Sequence, residues 1–214
     1  MNDVTYHEDR CRAVVEAVPG YSGAIQYNFF QRLMAFPKVN RVLMLGVYHG
    51  RDLCFIGDIA KDYPEREFTL VGVDKFEDAA CADWPEGKVG MNWREAGYGR
   101  PPSHDSALEN LRKFCGDNVR FELYKQRDRE FLELESRKFD LIYLDTSHDY
   151  ETVRRQLGQI GKLCHETTLI CGDDYSDEGN QSNWGVKSAV KDSFTNHLVF
   201  GGWIWMGKYC DLIP

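Results

Sequence analysis

Arg41-Val-Leu-Met-Leu-Gly-Val-Tyr-His-Gly-Arg51 and the later Val71-Gly-Val-Asp74 carry the strongest structural signal in this chain of 214 residues. An apolar run ends in a turn with two glycines, and a helical stretch then leads to a second apolar run that ends in a carboxylate. This order is typical of a βαβ unit that binds a nucleoside. Gly46 and Gly50 let the backbone approach a ligand closely, and Asp74 can accept hydrogen bonds from both hydroxyls of a ribose. A purely structural turn fits the same pattern, so the rest of the chain has to decide.

The remaining sequence alternates apolar strands with helices of ten to fifteen residues. This alternation predicts an α/β fold with a doubly wound, mostly parallel sheet, an antiparallel strand near the C-terminus and helices on both faces. Residues 1–39 are expected to form a helical appendage that caps the substrate side. Residues 40–214 then form the main domain, with a loop insertion at 76–104. The strands are predicted near 42–47, 68–73, 119–124, 139–144, 167–172 and 198–206.

Composition excludes several classes of function. A formal net charge of −8 argues against a general nucleic-acid binder, which needs a basic face. No run approaches the roughly 18 apolar residues of a membrane helix, and we expect no signal peptide from the polar first residues. Seven scattered cysteines without a Cys-x-x-Cys pair argue against disulfides and a zinc site. We therefore expect Cys54 and Cys171 to be buried thiols in a cytoplasmic protein. The oligomeric state stays open, with a homo-oligomer among the alternatives.

Carboxylates collect where the predicted strands end. Ligands of parallel sheets bind outside the carboxyl ends of the strands, and four of the five strand ends here carry aspartate. Like charges along one edge repel each other, which favours a site that uses them. The strand ends are Gly46 to Gly50, Asp74, Gln126 to Asp128, Asp145 to Asp149 and Asp173 to Tyr175.

Three later strings resemble a known enzyme family. They are Phe139-Asp-Leu-Ile-Tyr-Leu-Asp-Thr-Ser-His-Asp-Tyr-Glu151, Leu169-Ile-Cys-Gly-Asp-Asp-Tyr175 and Gly185-Val-Lys-Ser-Ala-Val190. As an ordered set they resemble small class I S-adenosylmethionine-dependent methyltransferases, and they are more distantly similar to macrocin-type sugar O-methyltransferases. The resemblance covers about residues 40 to 206. It implies a Rossmann-like fold, S-adenosylmethionine as cofactor and a small-molecule acceptor that is methylated at oxygen.

The resemblance also implies a cofactor site. Gly46 and Gly50 would line the methionine part, Asp74 would hold the ribose hydroxyls, and Asp145 would lie beneath the sulfonium and the amino group. The full set of implied cofactor residues is Gly46, Tyr48, Gly50, Asp74, Lys75, Asp128 and Asp145.

Two positions depart from the family pattern. Met44 stands where the family usually has an acidic residue that contacts the cofactor's amino group, often through water, so this contact is absent or supplied elsewhere. Gln126-Arg127-Asp128 stands where the family usually has Gly-Asp, which puts the contact between Asp128 and adenine in question.

Two catalytic arrangements fit the second half of this edge. His148, beside Asp145, can act as the general base that takes the acceptor's proton, or it only contacts the cofactor or its own loop. Alternatively, the carboxylates of Asp145, Asp173 and Asp174 can hold Mg²⁺, which would activate the acceptor. Asp173 and Asp174 can equally serve as caps of the loop that follows their strand.

The stretch 76–104 is interpreted as a substrate lid or as an ordinary insertion. It contains Trp84, Trp93 and Tyr98 together with Arg94 and Arg100, so aromatic surface and positive charge follow the ribose-binding strand directly. A nucleoside-binding protein without turnover remains an alternative function. A nicotinamide-dependent oxidoreductase is disfavoured, because the glycine spacing lacks the usual pyrophosphate turn.

Overall fold

The computed structural model describes residues 3–78, 91–178 and 184–213. Seven α-helices and seven strands are assigned in this part of the chain. The helices are α1 (Asp3–Ala17), α2 (Ala24–Met34), α3 (Arg51–Ile59), α4 (His104–Phe114), α5 (Asp128–Leu134), α6 (Tyr150–Ile160) and α7 (Val186–Ser193). The strands are β1 (Arg41–Leu45), β2 (Phe68–Asp74), β3 (Val119–Lys125), β4 (Phe139–Leu144), β5 (Cys164–Gly172), β6 (His197–Phe200) and β7 (Ile204–Lys208).

All seven strands form one sheet in the order β3-β2-β1-β4-β5-β7-β6. The first five strands are parallel, and β7 runs antiparallel to β5. This confirms the predicted fold class. The sequence predicted one final strand, whereas the structure has a hairpin of β6 and β7. Gly201 and Gly202 adopt positive φ angles of 61° and 82° and reverse the chain between the two strands, because glycine enters this region without a steric penalty.

Alternate residues of the strands feed two separate cores. Val42 and Met44 of β1 pack with α1 to α4 on one face, while Leu43 and Leu45 pack with α5 to α7 on the other. This period of two is the geometry of a strand and explains why β1 is apolar at successive positions. Since β1 lies centrally, both of its faces are covered by helices.

The first two helices pack into the same core as the sheet. Phe30 of α2 contacts Tyr143 of β4 with ring centroids 5.0 Å apart, and Tyr27 meets Phe55 of α3 edge-on at 5.3 Å. Arg10 of α1 is paired with Asp58 of α3 at 2.8 Å. Residues 1–39 thus share a core with the main domain, and the boundary at 39/40 stays a prediction.

Two further expectations concern cysteines and membranes. Cys54 and Cys171 are buried free thiols, as predicted. Cys81 lies outside the described residues. None of the helices in the described ranges is long and apolar enough to cross a membrane.

Candidate functional site

The turn between β1 and α3 contains two glycines, each required for a different reason. Gly46 has φ +89°, and a Cβ there would lie 1.6 Å from the carbonyl oxygen of Asp145. Its lack of a side chain is therefore required by the neighbouring end of β4. Gly50 precedes α3 with φ +85°, a left-handed conformation that favours glycine. Tyr48 between them also has a positive φ, 56°.

Asp74 at the end of β2 holds this turn in place. Its Oδ2 accepts hydrogen bonds from the N–H groups of Val47 and Tyr48 at 2.8 and 2.9 Å, and its Oδ1 accepts from Phe76 N at 2.7 Å. A carboxylate has about four lone-pair sites, so one acceptor position is left for a ribose hydroxyl. Lys75 follows directly and is half-buried.

The ends of β4 and β5 bring a histidine between two carboxylates. His148 Nε2 lies 2.9 Å from Asp174 Oδ2 and 3.7 Å from Asp145 Oδ1, and the imidazole ring packs on Trp184 with centroids 4.8 Å apart. Among the described residues, Asp145, His148 and Asp174 form a group whose possible metal-ligand atoms all lie within 4.8 Å of one another. Burial raises the pKa of Asp145, contact with His148 opposes this, and the charge of Asp174 adds to it.

Asp173 occupies a different environment from Asp174. Its Oδ2 accepts a hydrogen bond from Gln26 Nε2 of α2 at 2.9 Å, and its Oδ1 accepts one from the N–H of Asp174. Burial, followed by repulsion from Asp145, raises the pKa of Asp173 to about 7. The sequence-predicted metal set contained Asp173, whereas the compact group in the structure has His148 in its place.

Sequence reasoning missed a buried carboxylate at Asp52. This side chain lies in the first turn of α3 and is only 8% exposed. Its Oδ2 accepts a hydrogen bond from Ser22 Oγ at 2.8 Å, while Oδ1 has no partner within the described part of the chain. Burial, followed by repulsion from Asp145 and Asp173, raises the pKa of Asp52 to about 8.

Tyr143 is a second buried polar group beside these carboxylates. The residue is completely buried on β4, and its hydroxyl has no hydrogen-bond partner among the described residues. Burial raises its pKa well above the ordinary value, and the charges of Asp173, Asp52 and Asp145 add to the effect. A tyrosine within the apolar run of β4 was the only signal in the sequence for this position.

Asp128 is engaged by α6 rather than open to solvent. Its Oδ2 accepts hydrogen bonds from Arg155 Nη2 and Gln156 Nε2, both at 2.7 Å. Burial alone would raise the pKa of this carboxyl, but the two donors hold it below its ordinary value. Asp128 therefore fixes α5 to α6, and a role toward adenine stays a prediction.

Aromatic side chains connect the glycine turn to the predicted lid. Tyr48 stacks between Tyr21 and Trp93, with ring centroids 5.9 and 5.0 Å apart. Trp93 in turn meets Tyr98 edge-on at 5.9 Å. The Tyr48 hydroxyl donates to the carbonyl of Arg100 at 2.7 Å. Residues 91–104 are thereby attached to the turn that carries Gly46 and Gly50, whereas Trp84 lies outside the described residues.

Comparison with known proteins places this architecture in a family. A family model described as a methyltransferase domain matches residues 43–175, which include the glycine turn, Asp74, Asp145, His148 and Asp174. No curated protein matches the chain.

Solved structures with the same fold include several methyltransferases. The O-methyltransferase NovP has 13% identity and a TM-score of 0.65, over 95% of this chain and 96% of that chain. The Podospora anserina methyltransferase PaMTH1, solved with S-adenosylhomocysteine, has 13% identity and a TM-score of 0.57, over 96% and 87%. An O-methyltransferase from Bacillus cereus in complex with S-adenosylhomocysteine has 16% identity and a TM-score of 0.54, over 97% and 92%. At such identities the likeness shows the fold alone.

Proposed function

Because the chain belongs to the methyltransferase-domain family, we propose that it transfers a methyl group from S-adenosylmethionine to a hydroxyl of a small molecule. The observation that carries the proposal is what the carboxyl ends of β1, β2 and β4 present on one edge of the sheet: the glycine turn with Asp74 bound to it, and the pair of Asp145 and His148. S-adenosylhomocysteine bound to proteins of the same fold supports the choice of cofactor.

The residues present fit the cofactor. Asp74 has acceptor capacity left beside the backbone groups that it already holds, which suits a ribose. Asp145 is a partly buried carboxylate, and such a group stabilises a nearby positive charge. Gly46, Tyr48, Gly50 and Lys75 would complete the methionine and ribose sides.

His148 is the general base of the proposed reaction. S-adenosylmethionine supplies a methyl group on a positively charged sulfur; the acceptor's oxygen bonds to the methyl carbon as the carbon–sulfur bond breaks, and the bonding pair stays on sulfur. The hydroxyl proton passes to His148. Asp174 at 2.9 Å and Asp145 at 3.7 Å stabilise the imidazolium that results, as carboxylates do for a catalytic histidine.

A divalent cation is the second candidate for acceptor activation. The group of Asp145, His148 and Asp174 offers two carboxylates and one imidazole, and the neighbouring Asp173 offers a third carboxylate. Carboxylate oxygens are ligands that suit both Mg²⁺ and Mn²⁺. A cation held here would lower the pKa of a bound hydroxyl.

The acceptor is proposed to be small and either aromatic or polyhydroxylated. The aromatic surface of Trp93 and Tyr98 lies next to the glycine turn, and Arg94 and Arg100 in the same segment are exposed. A net charge of −8 disfavours a nucleic-acid acceptor.

Turnover is tested by incubating the protein with methyl-labelled S-adenosylmethionine and a panel of phenols, catechols and sugars. We expect label in an organic product and release of S-adenosylhomocysteine. Binding of S-adenosylhomocysteine without label transfer to any acceptor would favour a binding protein without turnover.

A substitution tests the role of His148, and a chelation experiment then separates base from metal, because His148 also belongs to the candidate metal group. If His148 is the base, His148→Ala should lower kcat by roughly 10²–10⁴-fold while cofactor affinity stays near that of the wild type. His165→Ala is the matched control, because His165 also pairs with an aspartate, Asp140, at 2.8 Å but lies at the opposite end of the sheet.

Removal of divalent cations by a chelator tests the metal arrangement. If a cation activates the acceptor, excess chelator should silence the enzyme and Mg²⁺ or Mn²⁺ should restore it. Full activity in excess chelator would eliminate the metal.

A further inference from the structure

The buried carboxylate of Asp52 would be stabilised by a positively charged group or a hydrogen-bond donor. Its Oδ1 has no hydrogen-bond partner within the described residues, and removing a carboxylate oxygen from water without a partner is costly. Asp145 and Asp173 are close enough to repel it. Three carboxylates in one place, one of them nearly inaccessible, are stabilised by a cation between them.

Asp52 and position 44 lie on the same side of the sheet. Met44 is buried in the core that also contains Leu53 and Phe55 of α3, and its register partner on β4 is Tyr143. The hydroxyl of Tyr143 senses the charge of Asp52. Asp52 in the first turn of α3 and the side chain at position 44 are therefore on the same face of the sheet, and Tyr143 lies near both.

We infer that Asp52 replaces the acidic residue missing at Met44 and binds the ammonium group of the cofactor's methionine part, directly or through one ordered water. The inference rests on the proposed function. An ammonium group donates three hydrogen bonds. Asp52 Oδ1 and the hydroxyl oxygen of Tyr143 are both buried acceptors without a partner among the described residues, and Asp145 adds a carboxylate whose charge acts on Asp52.

The start of α3 also suits the other charge of the methionine part. Backbone N–H groups at a helix N-terminus attract anions, so the methionine carboxylate is expected near Gly50 and Arg51 while Asp52 takes the ammonium. The first turn of α3 would thus bind both the ammonium and the carboxylate of the cofactor's methionine part.

Calorimetry with three ligands tests this assignment. The ligands are S-adenosylhomocysteine, its decarboxylated analogue, which keeps the ammonium group, and its deaminated analogue, which keeps the carboxylate. Asp52→Asn preserves shape and the acceptor for Ser22 Oγ but removes the charge. We expect Asp52→Asn to lower the affinity for S-adenosylhomocysteine and for its decarboxylated analogue by about 10- to 100-fold, the usual range for a hydrogen bond to a charged group. The affinity for the deaminated analogue should stay unchanged.

Two further readouts separate this role from a structural one. The thermal midpoint of unliganded Asp52→Asn should equal or exceed that of the wild type, because the amide avoids burying a carboxyl group whose charge Asp145 and Asp173 would repel. In the methyl-transfer assay, KM for S-adenosylmethionine should rise while kcat changes little. Asp52→Ser is the second variant with the same expectation. Asp105→Asn, at a side chain that is 96% exposed, controls for the change in net charge.

Each outcome decides between the two proposals. A wild-type chain that binds no S-adenosylhomocysteine would overturn the proposed function and this inference with it. Binding that Asp52→Asn weakens equally for all three ligands, or for none, would overturn only the inference.

Discussion

Asp74 shows how one carboxylate can serve the fold and a ligand together. It accepts three backbone N–H groups from the turns after β1 and β2, so it fixes the shape of the glycine turn before any cofactor arrives. The sequence predicted Asp74 as a ribose acceptor from its position alone. It could not show that the same oxygens also hold the turn, because that depends on where the β1 loop lies.

Asp74→Ala is expected to weaken the binding of S-adenosylhomocysteine by roughly 1–3 kcal/mol, the usual effect of losing a hydrogen-bond partner. The free energy of unfolding should fall as well, because three backbone donors lose their acceptor. Calorimetry with an analogue that lacks both ribose hydroxyls separates the two effects, since Asp74→Ala should weaken that analogue less. Glu77→Ala, at a half-exposed neighbour, is the control. Unchanged affinity for S-adenosylhomocysteine in Asp74→Ala would remove Asp74 from the cofactor site.

The residues that sequence reasoning missed share one property. Asp52 and Tyr143 are polar groups inside the molecule, and nothing in their local sequence shows that α3 and β4 bring them near Asp145 and Asp173. Burial raises the pKa of both groups, and it depends on how the helices pack on the sheet.

At the scale of elements, the segment 91–104 is joined to the glycine turn through Tyr48. The rings of Tyr48 and Trp93 are stacked, and the Tyr48 hydroxyl donates to the carbonyl of Arg100, so we expect a ligand bound along this turn to affect the segment as well. A lid that closes over substrate commonly works in this manner.

We expect amide hydrogen exchange in 91–104 to slow when S-adenosylhomocysteine and an acceptor are both present. Trp93→Ala and Arg94→Ala should lower kcat/KM for the acceptor; Trp93→Ala removes the aromatic pairs with Tyr48 and Tyr98, each worth about 0.5–1.5 kcal/mol. Met91→Ala, at an exposed position of the same segment, is the control. Full protection of this segment in the ligand-free protein, or intact kcat/KM in both variants, would identify it as scaffold.

At the scale of the whole molecule, the N-terminal helices belong to the core that carries the site. Gln26 of α2 contacts Asp173, Ser22 before α2 contacts Asp52, and Phe30 packs on Tyr143. The predicted role of residues 1–39 as a cap on the substrate side stays a prediction.

Phe30→Ala is therefore expected to lower the free energy of unfolding of the entire chain by about 3–5 kcal/mol, the usual result of removing a buried ring. Urea unfolding followed by two probes would measure it. Phe36→Ala, at a ring that is 55% exposed, should change stability little. A chain shortened to 40–214 that unfolds cooperatively with wild-type stability would show instead that the first 39 residues are dispensable.

The sequence alone determined the order of elements, the parallel sheet and the edge on which aspartates collect. These follow from local periodicity and from the rule that parallel strands end on one side, so Gly46, Asp74, Asp145 and His148 could be assigned to one edge without coordinates. The sequence also located the departure at Met44.

Only the tertiary structure decided which of these side chains meet. It placed His148 against Asp174 and Asp145, turned Asp173 toward Gln26, and buried Asp52 with one oxygen that has no partner among the residues that the structure describes. Such distances depend on how α2 and α3 pack on the sheet and on loop backbone conformation, including the positive φ of Asp174. They arise from contacts between residues far apart in the chain, which local pattern does not encode.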